Sequence, residues 1–166
     1  MSTIDNLKDA FAGESQANRK YSAFSRKAAR ERYPQVARLF RAAAAAEAVH
    51  ADALLRAMGE LKSTAENLET AIEGEGSEFQ EMYPKFLKKA EEEGNQAAAR
   101  VFRHALAVEE IHHTLYSRAL EDVKEGKGMV ETKIFVCGVC GNTVLHKPPE
   151  TCPICNSPRE KFFEVI

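Results

Sequence analysis

The tetrapeptide Glu47-Ala-Val-His50 returns as Glu109-Glu-Ile-His112, 62 positions later. In an α-helix, residues three apart share a face, so each copy aims one carboxylate and one imidazole at the same point. The same shift superposes Tyr21 on Tyr83, Phe24 on Phe86, Ala28 on Ala90, Arg38 on Arg100, Phe40 on Phe102 and Arg41 on Arg103. A single Glu-x-x-His on a helix is ordinarily a solvated pair. Repetition at a fixed offset, on an otherwise apolar face, argues instead for a metal. The chain is therefore expected to contain two helical hairpins related by a pseudo-twofold axis, with any metal pair on that axis.

Helical periodicity fills in the rest. Residues 4 to 31 read as an amphipathic helix with Asp5 as N-cap and a stripe of Leu7, Ala10, Phe11, Glu14, Ala17, Tyr21, Phe24 and Ala28. Glu14 lies inside that stripe, where a bare carboxylate is costly to bury. Pro34 suits the first turn of a second helix running to Met58, before Gly59. A connection of about fifteen residues, Gly59 to Gly74, is expected to cross from one end of a bundle to the other. A third helix is expected from Glu75–Ser77 to Gly94, and a fourth from Asn95 to Glu125. Gly126-Lys-Gly128 then reads as a linker.

Four helices with two inward Glu-x-x-His pairs and two further glutamates form the di-iron carboxylate site of ferritin-like bundles. Glu14 is the first-helix glutamate. On the third helix the 62-residue shift lands on Gly76, leaving Glu73, Glu75, Glu78 and Glu81 as candidates. Relative to Tyr83, and compared with Glu14 before Tyr21, Glu75 lies about 80° round the helix, Glu78 about 140° and Glu81 about 160°. Glu75 is favoured.

Totals limit the alternatives. The net charge is −2, with no basic block, which argues against nucleic acid. The N-terminus lacks the apolar core of a signal peptide, and the run Ala42 to Ala46 is too short to span a bilayer. All four cysteines fall in Cys137-Gly-Val-Cys140 and Cys152-Pro-Ile-Cys155. Two Cys-x-x-Cys pairs in an expected cytoplasmic chain argue for tetrahedral thiolate ligation of zinc or a single iron rather than for disulfides. The segment Thr132 to Val136 is β-rich, and so short a module needs a metal's binding energy to fold.

The cysteine module resembles rubredoxin, with Asn156 where the second knuckle usually has glycine. Asparagine tolerates the positive φ required there. With Ala12-Gly-Glu14-Ser, both Glu-x-x-His pairs and Glu78-Phe-Gln-Glu-Met-Tyr-Pro84, the whole chain resembles the rubrerythrins. That resemblance implies a mainly α fold: a ferritin-like di-iron four-helix bundle over 1–127 and a small β-rich rubredoxin-like domain over 131–166. It implies Glu47 and Glu109 as bridging ligands, Glu14 and Glu75 as terminal carboxylates and His112 as a permanent imidazole. Glu78 and His50 exchange at the other iron, carboxylate when oxidised and imidazole when reduced. Five carboxylates suit two ferric ions, and reduction removes two positive charges, so releasing Glu78 for neutral His50 is electrostatically sensible. Tyr21 and Tyr83 are expected to hydrogen-bond ligating carboxylates. His104, His113 and His146 have no matched partner and read as surface or linker residues.

The activity implied is reduction of hydrogen peroxide to water, in defence against oxidative stress. Electrons pass from an NAD(P)H-dependent reductase or a rubredoxin, through the thiolate-bound iron, to the di-iron site. The resemblance also implies a homodimer or larger assembly in which helices can be exchanged. The competing reading is a ferroxidase or iron-handling protein, which requires neither Glu78 nor the cysteine module.

Overall fold

The computed structural model describes residues 2–166. Five α-helices are followed by a small sheet: α1 Thr3–Arg30, α2 Pro34–Met58, α3 Thr64–Ser77, α4 Tyr83–Glu92, α5 Gln96–Lys124, then β1 Ile134–Cys137, β2 Thr143–Leu145 and β3 Phe162–Val165. The fold is mainly α with a small antiparallel sheet of order β2-β1-β3. Contacts divide the chain into two compact units, Met1–Lys62 and Ser63–Ile166.

In the first unit, α1 packs on α2. The N-cap of α1 is Ser2, not Asp5. Ser2 Oγ accepts from the Asp5 N–H, and the Asp5 carboxylate accepts the Ser2 N–H at 2.8 Å, a reciprocal capping box. Asp5 therefore occupies the third position inside the helix. Pro34 opens α2, and Gly59, at φ 69°, closes it in the left-handed conformation that costs glycine nothing. Ser25, Ala28, Ala37 and Ala44 are buried between the two helices, where small side chains let the axes approach. The Ser25 hydroxyl donates to the Ala37 carbonyl (2.8 Å), and Asn18 Nδ2 donates to the Ala44 carbonyl (2.7 Å).

The second unit corrects the expected long connection. Only Gly59 to Ser63 separates α2 from α3, because Ser63 and Glu66 form a second capping box and start the helix at Thr64. The Ser63-Thr-Ala-Glu66 pattern is a helix-start signal that outweighs the weak periodicity and the glycines downstream. The third helix thus begins about eleven residues earlier than expected, and of the expected connection only Gly59 to Ser63 lies outside helices.

That helix is interrupted by a π turn, Glu78–Met82, in which the Tyr83 N–H bonds the Glu78 carbonyl five residues back. A π turn holds one residue more than an α turn. Its presence explains why the internal repeat fails at Gly76. Seven positions separate Glu14 from Tyr21, whereas eight separate Glu75 from Tyr83. In a plain α-helix the extra residue would carry Glu75 about 80° out of line. The π turn absorbs it and returns Glu75 to the face that Glu14 occupies in α1.

The two hairpins otherwise match closely. Tyr21, Phe24 and Phe40 have ring-centroid separations of 6.3, 6.2 and 5.5 Å; Tyr83, Phe86 and Phe102 have 6.4, 6.2 and 5.6 Å. Asn95 caps α5 by accepting the Ala98 N–H at 3.1 Å. Past α5, β1 pairs with both β2 and β3. Among the described residues no helix is long and apolar enough to cross a membrane.

The π turn generates a test. Deleting exposed Gln80 leaves seven positions between Glu75 and Tyr83, so a plain α-helix keeps Glu75 in line. Deleting exposed Lys20 from α1 rotates Glu14 by about 100° relative to Tyr21. The Gln80 deletion is expected to retain cobalt(II) binding and a melting temperature near wild type, and the Lys20 deletion to lose both. Equal losses would show that the π turn has no such role.

Candidate metal centre

Each helical hairpin gathers the same three groups. In the first, Glu14 from α1 meets Glu47 and His50 from α2. His50 Nδ1 lies 2.8 Å from Glu47 Oε2 and 3.7 Å from Glu14 Oε1. In the second, Glu75 from α3 meets Glu109 and His112 from α5. His112 Nδ1 lies 2.8 Å from Glu109 Oε2 and 3.8 Å from Glu75 Oε1. In each set one ligand atom per residue can be chosen so that all three lie within 4.8 Å of one another.

The second set is the more buried: the His112 side chain is 26% exposed, that of His50 57%. Burial pushes the Glu75 carboxyl up to about 7, assisted by the charge of Glu109 beside it, a hydrogen bond to Glu109, and the charge of Glu78. Burial, then the charge of Glu109, also raises Glu78. Burial raises the Tyr83 phenol too, and Glu78, Glu109 and Glu75 all add to it. Tyr83 therefore sits in the field of all three carboxylates. Glu78 belongs to this crowd although it lies outside the three-residue set. Glu81 does not: its side chain is 70% exposed and pairs with Lys85 at 3.4 Å.

The other nitrogen of His112 meets the cysteine module. Thr143 Oγ1 donates to the Gly141 carbonyl (3.1 Å), which leaves its lone pairs free to accept from His112 Nε2–H at 2.9 Å. With the proton on Nε2, Nδ1 presents a lone pair to a carboxylate 2.8 Å away. A cation between them, a proton or a metal ion, is what makes that arrangement favourable. The donor set of carboxylate oxygens and imidazole nitrogen, with the second nitrogen tied, fits a first-row metal.

His113 departs from its expected surface role. Its ring packs edge-on against Phe79 in the π turn (centroids 5.3 Å apart), and a Cβ at Gly76 would lie 3.4 Å from it. His146 is bound through Nδ1 to the Thr132 hydroxyl at 2.7 Å.

The four cysteines are free thiols gathered at one point. Cys137 and Cys155 Sγ atoms are 3.7 Å apart, and Cys140 and Cys152 3.6 Å. A disulfide would require about 2.05 Å. A tetrahedron with metal–sulfur bonds of about 2.3 Å has edges of about 3.8 Å. The spacing thus fits a metal and not a bridge. Gly141 and Asn156, at φ 87° and 58°, occupy equivalent knuckle positions, the conformation asparagine can adopt without glycine.

Residues just beyond each knuckle were not visible as functional from sequence. Asn142 O accepts from the Cys137 N–H (2.9 Å) as Ser157 O accepts from the Cys152 N–H (2.8 Å). Burial alone would push the Cys155 thiol up, but the hydroxyl and backbone N–H of Ser157, with Cys140 and Cys152, bring it down to about 7. Burial holds the Cys140 thiol far above its ordinary range. Such a mixture of shifts in one cluster is resolved when a metal replaces the protons.

The description "Rubrerythrin" belongs to a family model that matches residues 5–120, and a model of the rubredoxin-like domain of rubrerythrin matches 135–163. This chain belongs to the rubrerythrin family. It is 36% identical to rubrerythrin-2 of Clostridium acetobutylicum, covering 96% of this chain and 95% of the relative. It is 37% identical to nigerythrin of Nitratidesulfovibrio vulgaris, covering 97% and 85%. A solved structure of nigerythrin in a mixed-valent state aligns with a TM-score of 0.58 at 36% identity, covering 99% of this chain and 87% of that one. This rubrerythrin-family chain carries candidate di-iron carboxylate–histidine groups and a rubredoxin-like four-cysteine site.

Glu75 supplies a pH test on the metal-free protein. Its folded pKa, about 7, exceeds the ordinary 4.5, so the folded state binds the proton more tightly and loses stability as pH rises between those values. Glu75→Gln never takes up that charge. The melting temperature of the wild type is expected to fall relative to Glu75→Gln across that window, by a few degrees; parallel curves would contradict the assignment.

Proposed function

We propose that this protein reduces hydrogen peroxide to water, with electrons entering at a thiolate-bound iron and passing to a carboxylate–histidine iron pair. One observation carries the proposal. The four-cysteine module lies directly against a helix bearing a candidate metal set, with Thr143 in hydrogen-bond contact with His112. An electron-carrying site placed against a metal ligand suits a redox enzyme better than a storage protein.

The proposed ligands are Glu14, Glu47, His50, Glu75, Glu78, Glu109 and His112 for the iron pair, and Cys137, Cys140, Cys152 and Cys155 for the single iron. Neither hairpin alone offers enough ligands for two metals. Iron bound there would supply the two electrons that cleave the O–O bond, while two protons complete two molecules of water. Glu47 and Glu109 would be ligands shared by the two irons, Glu14 and Glu75 would each serve one, and His112, its Nε2 tied to Thr143, would offer Nδ1. Glu78 and His50 would alternate as ligands: reduction lowers the metal charge, and Glu78, which burial and the charge of Glu109 already raise, would give way to a neutral imidazole. Tyr83 lies within the same field and can donate to a carboxylate oxygen.

The bundle is proposed to span residues 1–127 and the rubredoxin-like module 131–166. A homodimer, with exchange of helices, is supported by large apolar side chains exposed on the hairpins, such as Leu39 at 69%, Val49 at 64% and Val101 at 60%. Electrons would come from an NAD(P)H-dependent reductase or a rubredoxin in a reducing, cytoplasmic setting that keeps the thiols free.

Anaerobic stopped-flow absorbance tests the reading. Reduced, iron-loaded protein is mixed with hydrogen peroxide or with O₂ while the thiolate–iron and di-iron bands are followed. Oxidation of both centres is expected to be fast with peroxide and at least tenfold slower with O₂. Glu78→Ala is expected to slow the peroxide reaction tenfold or more. Faster oxidation by O₂, with Glu78→Ala unchanged, would favour a ferroxidase.

A further inference from the structure

Asn142 is 1% exposed and is one of two buried polar residues among those described. It touches three of the four cysteines. Its backbone N–H donates to the Cys140 sulfur, its carbonyl accepts the Cys137 N–H at 2.9 Å, and its side-chain Nδ2 lies 3.6 Å from Cys152 Sγ. Cys152 is itself fully buried, so no water competes for that sulfur. The Oδ1 end of the same amide has no partner among the described residues.

That asymmetry is informative. A buried amide ordinarily satisfies its carbonyl oxygen, and leaving it bare is unfavourable. Turning the amide over would set a partly negative oxygen against an anionic sulfur. The orientation with Nδ2 toward Cys152 spares that repulsion and supplies a charge-assisted hydrogen bond in a site closed to water. The equivalent residue after the other knuckle, Ser157, serves the cysteine of its own knuckle. Asn142 instead reaches across to the opposite one.

We propose that Asn142 is a redox-positioning residue whose side-chain N–H, donated to the Cys152 thiolate, raises the reduction potential of the four-cysteine iron. The inference rests on the reading of that cluster as an iron site. The step concerned is transfer of one electron to ferric iron, giving ferrous iron, with no bond made or broken. The reduced centre carries one more negative charge, shared over the four sulfurs. A donor aimed at one of them therefore stabilises the reduced form more than the oxidised form. Removing the donor shifts the equilibrium toward ferric iron and makes the centre a weaker acceptor from any upstream reductase.

The test uses full-length iron-loaded protein. Asn142→Leu keeps the branched outline in a larger volume without a donor, and Asn142→Asp keeps the shape without a fixed N–H. Both are expected to shift the ferric–ferrous equilibrium about tenfold toward ferric iron, equivalent to about 59 mV for one electron. The thiolate–iron absorption band should persist. An unchanged potential with that band intact overturns the proposal. If either variant fails to fold or load, cadmium-substituted wild-type protein decides. Scalar coupling between the Asn142 Nδ2 protons and the cadmium nucleus, through Cys152 Sγ, is expected, and its absence overturns the proposal. Failure of the wild type to show any thiolate–iron band would remove the iron reading, while the cadmium coupling would still decide whether Asn142 is the donor.

Discussion

Carboxylates crowded without enough positive charge are the constraint on which the helical part turns. Glu75, Glu78 and Glu109 are close enough that burial and mutual repulsion lift Glu75 to about 7 and raise Glu78 as well. Each histidine offers its Nδ1 to a carboxylate oxygen at 2.8 Å. Protons can meet part of that demand, but only at the expense of ligand strength. Multivalent cations meet all of it and turn a repulsive cluster into an attractive one. The alanines around Glu47 and the matched aromatic trios form a frame that holds ligands in place before any metal arrives.

The π turn shows how closely that frame is tied to the site. One extra residue in the second hairpin ought to break the symmetry of the ligands. It does not, because the turn widens locally and the helix resumes in register at Tyr83. Glu78, within the turn, adds a third carboxylate in the field of Glu109. The first hairpin has no such turn, and its histidine is the more exposed of the two. An internal repeat has thus become asymmetric at the place where the proposed chemistry distinguishes one metal position from the other.

The cysteine module depends on similar electrostatics at smaller scale. Four sulfurs held 3.6–3.7 Å apart in pairs form a site that only a metal stabilises fully. The strands around them are three or four residues long, too short to provide a core. Backbone carbonyls of Asn142 and Ser157 clamp the two knuckles, and Thr143 connects the module to His112. Ligand geometry and module docking therefore share one short loop.

Much of this was legible in the chain itself, because covalent spacing and helical period act locally. Glu-x-x-His at i and i+3, Pro34 and Gly59 at the ends of α2, Asn95 before α5, and paired Cys-x-x-Cys all specify geometry within a few residues. Glycine's usual place in the second knuckle could be given to Asn156 for an equally local reason, its tolerance of positive φ. The start of α3 was also written locally, in Ser63 and Glu66, but the glycines beyond it obscured the signal. Other features depended on groups distant in sequence. The π turn satisfies packing of α3 and α4 against α5, which a uniform 100° step cannot anticipate. Thr143 meets His112 across 31 positions, and Asn142 meets Cys152 across ten, inside a closed sulfur cage. The sequence alone determined which groups could bind metal, since that follows from residue type and period. Only tertiary structure decided which neighbours would orient them and adjust their charge, since hydrogen bonds and burial belong to the folded chain.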